Sequence, residues 1–64
     1  MEKRTQWEYC QLSGNSIFFY RTQEKTAITP DFEGHTKAIT QLGFDGWELV
    51  TIDPNGGYYF KRLL

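Results

Sequence analysis

The chain has one cysteine, one histidine and two prolines among its 64 residues. A single cysteine closes no internal disulfide. One cysteine and one histidine do not make up the tetrahedral ligand set of a structural zinc site without side chains from a second chain. No stretch approaches the roughly 20 apolar residues of a membrane-spanning helix. The charges nearly cancel, with 7 basic against 8 acidic side chains and a net charge of -1. Nucleic-acid binders are normally basic, so this balance weighs against that role. Met1-Glu2-Lys3-Arg4 is followed by polar residues, not by the apolar core of a secretory signal. A lone free thiol suits a reducing compartment. Together these features imply a cytoplasmic protein.

Residues for ordinary catalysis are equally scarce. His35 is the single candidate base, and no spacing places a nucleophile or an orienting carboxylate beside it. Cys10 sits inside a strand pattern, with no helix N-terminus or cation implied next to it, and reads as a small apolar filler. Glu8 and Glu48 would form a carboxylate pair only if their strands were neighbours; Lys61 and solvent are the simpler partners. Gly14, Gly46, Gly56 and Gly57 are turn glycines and match no phosphate-cradling motif. The sequence therefore assigns no catalytic, cofactor-binding or metal-binding residue.

Aromatic side chains are abundant, at 17% of the chain. So short a domain buries only roughly 60% of the surface its unfolded chain exposes. Bulky rings supply much apolar area from few positions. Trp7 to Leu12 alternates like a strand, and the turn formers Ser13-Gly14-Asn15-Ser16 lead into a second strand, Ile17-Phe18-Phe19-Tyr20. Arg21 to Ile28 is polar and reads equally as strand or loop. Thr29 as N-cap, Pro30 in the first turn, and Asp31 and Glu33 at the positive end of the dipole mark a helix. Phe32, Ile39 and Leu42 give its apolar stripe. Gly34 is its weak point, and Gly43 supplies a left-handed stop. Trp47 to Ile52 and Tyr58 to Leu63 are two further strands around the turn Asp53-Pro54-Asn55-Gly56-Gly57.

The expected fold is a single α+β domain over residues 1–64. It has the order ββαββ, with a four-stranded antiparallel sheet and one helix packed on one face. Strand order 2-1-3-4 keeps all neighbours antiparallel. If Glu8, Glu48 and Lys61 avoid the helix, then Trp7, Tyr9, Trp47, Leu49, Tyr58 and Phe60 form the core under it. The opposite face then carries Cys10, Leu12, Val50, Ile52, Tyr59 and Leu63. That face is too apolar for a solvated surface, so these six residues form the candidate interaction surface. The implied partner is a second copy, most simply in a dimer, or another protein. A second reading is a small nucleic-acid-associated protein. Lys3-Arg4 and Lys61-Arg62 would hold phosphates, and Tyr58, Tyr59 and Phe60 would stack bases. A third is an enzyme whose site forms only at an oligomer interface. No cofactor is implied.

Three segments carry a resemblance: Trp7-Glu8-Tyr9, then Leu42-Gly43-Phe44-Asp45-Gly46-Trp47-Glu48-Leu49-Val50, then Phe60-Lys61-Arg62. In this pattern the chain resembles a family of short bacterial proteins known as domain of unknown function 4177. Cys10, and an unusually aromatic second strand, depart from the family pattern. The resemblance implies a compact α+β fold of bacterial type. It implies no activity, cofactor or catalytic residue.

Overall fold

The structure is a computed structural model that describes residues 5–64. Lys3 and Arg4, part of the basic tract singled out above, lie outside the described residues. The elements are β1 (Trp7–Ser13), β2 (Ser16–Phe19), β3 (Glu24–Ala27), α1 (Phe32–Phe44), β4 (Glu48–Ile52) and β5 (Tyr58–Leu63). The strands form one antiparallel sheet of five strands, in the order β3-β2-β1-β5-β4. The α+β class and the single helix agree with the sequence reading; the strand count and order do not.

The extra strand is β3, from the polar segment that pattern alone left undecided. After Phe19 the chain turns back through Gln23, which takes φ 59°, and Glu24–Ala27 pairs along β2. It is an edge strand with all four residues exposed, so no alternation betrays it. The β1–β2 connection is also tighter than the four-residue loop expected, since Ser13 pairs with Ser16.

The order differs because β5, not β4, lies beside β1. Cys10 stands opposite Phe60, and Glu8 opposite Arg62. This register joins an apolar pair and an ion pair on one face of the sheet. The arrangement expected from 2-1-3-4 would have brought Glu8 toward Glu48. Instead Glu48 stands opposite Lys61 on the other face, and β4 becomes the second edge.

The inner and outer faces of β1 are reversed relative to the expectation. Cys10 and Leu12 are fully buried, with Ile17, Ala38, Leu42, Trp47 and Phe60 completing the core. Trp7 and Tyr9 point outward and are exposed. The reading failed at Glu8, which lies on the helix side but is buried with its charge satisfied. On β5 the expected face holds, with Phe60 buried and Tyr58 packed against the core. On β4 the alternation breaks at a register shift between Leu49 and Thr51, and the whole strand is exposed.

The helix begins two residues later than Thr29 suggested. Asp31 is the N-cap, with extended φ and ψ, and its Oδ1 accepts the Gly34 N–H at 2.7 Å. Phe32 is 88% exposed and belongs to no core stripe; Ala38 and Leu42 make the buried contacts. Gly43 stays inside the helix. The left-handed turn that ends it falls at Gly46, at φ 90°, after the Asp45 N–H has closed on the Gln41 carbonyl at 3.0 Å. His35 Nε2 donates to the Gly14 carbonyl at 2.6 Å, tying the helix to the β1–β2 turn.

Candidate interaction surface

The three motif segments meet at one end of the sheet, and each supplies a residue to both of its faces. On the helix side, Glu8 Oε1 accepts from Arg21 Nε at 3.0 Å, and Oε2 accepts from Arg62 Nε at 3.0 Å. Arg62 also donates through Nη1 to the Asp45 carbonyl at 2.8 Å, and its guanidinium lies 4.4 Å from the centre of the Trp47 ring. Gly46 makes the turn beside this arginine at φ 90°, a backbone conformation that favours glycine. One arginine thus joins β5, β1 and the turn after the helix. On the outer side, Lys61 Nζ lies 4.3 Å above the Trp7 ring and 3.7 Å from Glu48 Oε2.

Burial alone would raise the pKa of Glu8, but the hydrogen bonds and charges of Arg21 and Arg62 outweigh it and hold the carboxyl below its ordinary value of 4.5. A carboxylate depressed in the folded state stabilises the fold above its unfolded pKa and loses that contribution as pH falls through the folded value. Denaturation midpoints of the wild type should therefore exceed those of Glu8→Gln at pH 7. The gap should narrow progressively as the pH falls below the ordinary carboxylate value of about 4.3. Urea titrations of both proteins between pH 3 and pH 7 check this; a gap of constant size across that range assigns Glu8 a role other than its charge.

Cys10 is no nucleophile in this setting. Burial raises its thiol to about 11, and Glu8 adds to the shift against an opposing contribution from Arg62. Burial and the Asp53 carboxylate likewise raise the pKa of Tyr59, whose hydroxyl lies 3.5 Å from Asp53 Oδ2.

Of the six residues expected on the interaction surface, Cys10 and Leu12 are core residues, each 0% exposed, and leave the set. Val50, Ile52 and Leu63 are exposed, and Tyr59 is partly so. Ile52 stands opposite Tyr58 and lies on the helix side of the edge strand, while Leu63 stands opposite Trp7 on the outer side. The outer surface that the structure presents differs from the one expected. It is formed by Trp7, Tyr9, Phe18, Tyr59, Lys61 and Leu63, with Lys25 at its β3 margin. Trp7 is 40% exposed and Tyr9 49%. Tyr20, just beyond β2, meets the Phe18 ring edge-on at 5.0 Å and donates its hydroxyl to Gln11 Oε1 at 2.7 Å. Sequence reasoning missed Trp7 and Tyr9 because it set them under the helix. A signal present in the sequence is Arg62, which shares the inward parity of Phe60 and can hold a carboxylate of a neighbouring strand on that same face.

On the helix side, α1 packs on the core through Ala38 and Leu42, with Ile17 of β2 in the same cluster, while β3 stays exposed. An apolar trough of about 510 Å³ remains between α1 and these strands, floored by Ile17, Phe19 and Ile28 and walled by Ala38 and Leu42.

No family model, curated protein or solved structure matches the chain. Among the described residues, fold and surface define a small α+β module with an exposed aromatic sheet face. No helix among the described residues is long and apolar enough to cross a membrane.

Proposed function

We propose that the protein is a non-enzymatic interaction module that associates with a second copy of itself through the outer face of its sheet. The observation that carries this reading is the cluster of exposed rings, Trp7, Tyr9 and Tyr20, on a face that no element among the described residues covers. Tyr and Trp are the side chains most enriched where binding energy concentrates. A net charge of -1 adds little repulsion between copies. Five strands about 4.8 Å apart, averaging roughly five residues each, present a footprint on the order of 400 Å². Two such faces bury somewhat under about 1,000 Å² in total, at the low end for specific interfaces. The association is accordingly weak and reversible. Membership of the bacterial family that the sequence resembles is part of the same proposal and rests on the three motif segments, and a cytoplasmic setting goes with it.

Sedimentation velocity from about 10 μM to about 1 mM should show a concentration-dependent dimer, with Kd weaker than about 1 μM. Tyr9→Lys places a charge in the middle of the face and leaves the core untouched. It should weaken dimerisation by about tenfold or more. A wild type that stays monomeric across that range overturns the proposal.

A second reading rests on the same rings. Exposed aromatics beside Lys25 and Lys61 have the chemistry that stacks single-stranded bases. Quenching of Trp7 fluorescence by an oligothymidylate at low salt would support it, and no quenching would end it.

A further inference from the structure

We propose a second, separate binding site: the trough between α1 and β3 takes an extended peptide segment from another protein, as an added strand along β3. This does not depend on self-association, because the trough and the aromatic face lie on opposite sides of the sheet.

Two independent features converge there. The first is the trough itself, whose volume of about 510 Å³ falls within the usual range of ligand sites, and whose apolar floor is set by Ile17, Phe19 and Ile28. The second is the edge of β3. Among the described residues that strand pairs only with β2, so within them its other side presents main-chain N–H and C=O groups without a partner strand. A small apolar molecule would use the first feature alone. An extended peptide uses both: its backbone bonds to the edge, and alternate side chains turn into the trough. The other edge, β4, suits a partner strand less well, because the register shift between Leu49 and Thr51 interrupts its ladder.

Charge selects the peptide further. Asp45 lines the trough at the C-terminal end of α1, and Phe19 closes on Trp47, just beyond Asp45, with ring centres 5.8 Å apart. Glu24 stands opposite Phe19 in the β2–β3 register, so a second carboxylate belongs to that end. Two cations, Arg21 and Arg62, flank the same end, but both are bound to Glu8 at 3.0 Å, and Lys37 of the helix wall is paired with Glu33 at 3.5 Å, so Asp45 and Glu24 remain in excess there. The complementary segment therefore carries a large apolar residue for the trough and, two positions away on the same side of the strand, a basic residue for the Asp45 and Glu24 end. Two residues of strand span about 6.6 Å.

The test is a nitrogen–proton correlation titration of the labelled protein with the blocked peptide Thr-Thr-Leu-Thr-Lys-Thr-Thr. Saturable shifts are expected in β3, Phe19, Ile28 and the Gly34 to Asp45 stretch, with slowed exchange of the outward β3 amides. Tyr9 and Trp7 should stay unmoved. Replacing the peptide leucine by serine, or its lysine by glutamate, should weaken binding about tenfold or more, and proline in place of the central threonine should abolish it. Glu24→Lys, an exposed change outside the core, should weaken the parent peptide and improve the glutamate peptide. Absence of saturable shifts at millimolar peptide overturns the proposal, as does undiminished binding of the proline peptide. So would shifts centred on the aromatic face, or the same shifts from hexanol without protection of β3. None of these outcomes bears on dimerisation, which sedimentation reads separately.

Discussion

Phe60→Ala is expected to leave the protein at or near the edge of unfolding at room temperature. Phe60 is 2% exposed and lies on the central half of the sheet, where β5 is flanked on both sides by strands. Across the ladders it stands opposite Cys10 on β1 and Leu49 on β4. Truncating a buried phenylalanine to alanine costs about 3–5 kcal/mol, from lost transfer energy and from the cavity left behind. A chain of 64 residues has about 3–10 kcal/mol of total stability at ordinary values per residue. The loss is thus comparable to the whole. The core has few residues with which to collapse into the void, and no disulfide limits the unfolded state. Urea unfolding followed by Trp47 fluorescence measures the effect. Phe60→Leu, which keeps most of the volume, should remain folded with a clearly smaller loss. If Phe60→Ala unfolds with a midpoint near that of the wild type, the hydrophobic cluster is not what holds the sheet to the helix.

The part of this architecture legible in the sequence is the part set by local chemistry. Turn formers delimited β1, β2, β4 and β5, and acidic residues near Pro30 located the helix start to within two residues. The inward parity of Phe60 followed from alternation on β5, where Lys61 takes the solvent side. What could not be read depends on pairing between distant segments. Glu8 looks like a surface residue until Arg21 and Arg62 are brought to it from 13 and 54 positions away. With those partners in place a carboxylate is tolerated under the helix, and the whole of β1 turns over. Because successive strand residues point to opposite faces, one misassigned charge inverted Trp7, Tyr9, Cys10 and Leu12 together. That error also decided the fate of the expected interaction surface. Among the described residues the outward face carries the exposed rings Trp7 and Tyr9, in place of Cys10 and Leu12, which are buried. On β4, the shift between Leu49 and Thr51 has no marker in composition, so no alternation rule assigns Val50 a side.

Gly34→Ala should destabilise the protein, against the direction that helix propensity predicts. Alanine is preferred over glycine by about 1 kcal/mol inside an exposed helix, since it loses less backbone entropy on folding. Position 34 is not free to collect that gain. A Cβ built on Gly34 falls 2.8 Å from both the carbonyl carbon and the Cβ of Thr29, and nearer still to the Thr29 carbonyl oxygen. The obstacle is backbone, in the segment that leads from β3 into the helix, and it has no flexible side chain to swing aside. Relieving the clash means shifting Thr29 and with it the Asp31 cap, whose carboxylate holds the Gly34 N–H itself. Overpacking of this kind costs about 1–3 kcal/mol, and weakening the cap adds about 1 kcal/mol. The net expectation is a loss of about 1–3 kcal/mol once the propensity gain is subtracted. Gly43→Ala is the matched control. It lies in the same helix, outside the positive-φ region, with nothing within 4 Å of its added Cβ. It should therefore stabilise by up to about 1 kcal/mol. Opposite signs from two glycine-to-alanine changes in one helix, read as urea midpoints, would locate the cost in the Thr29 crossing. If both changes stabilise, Thr29 does not cross the helix as closely as this geometry requires, and the floor of the trough beside Ile28 is misplaced with it.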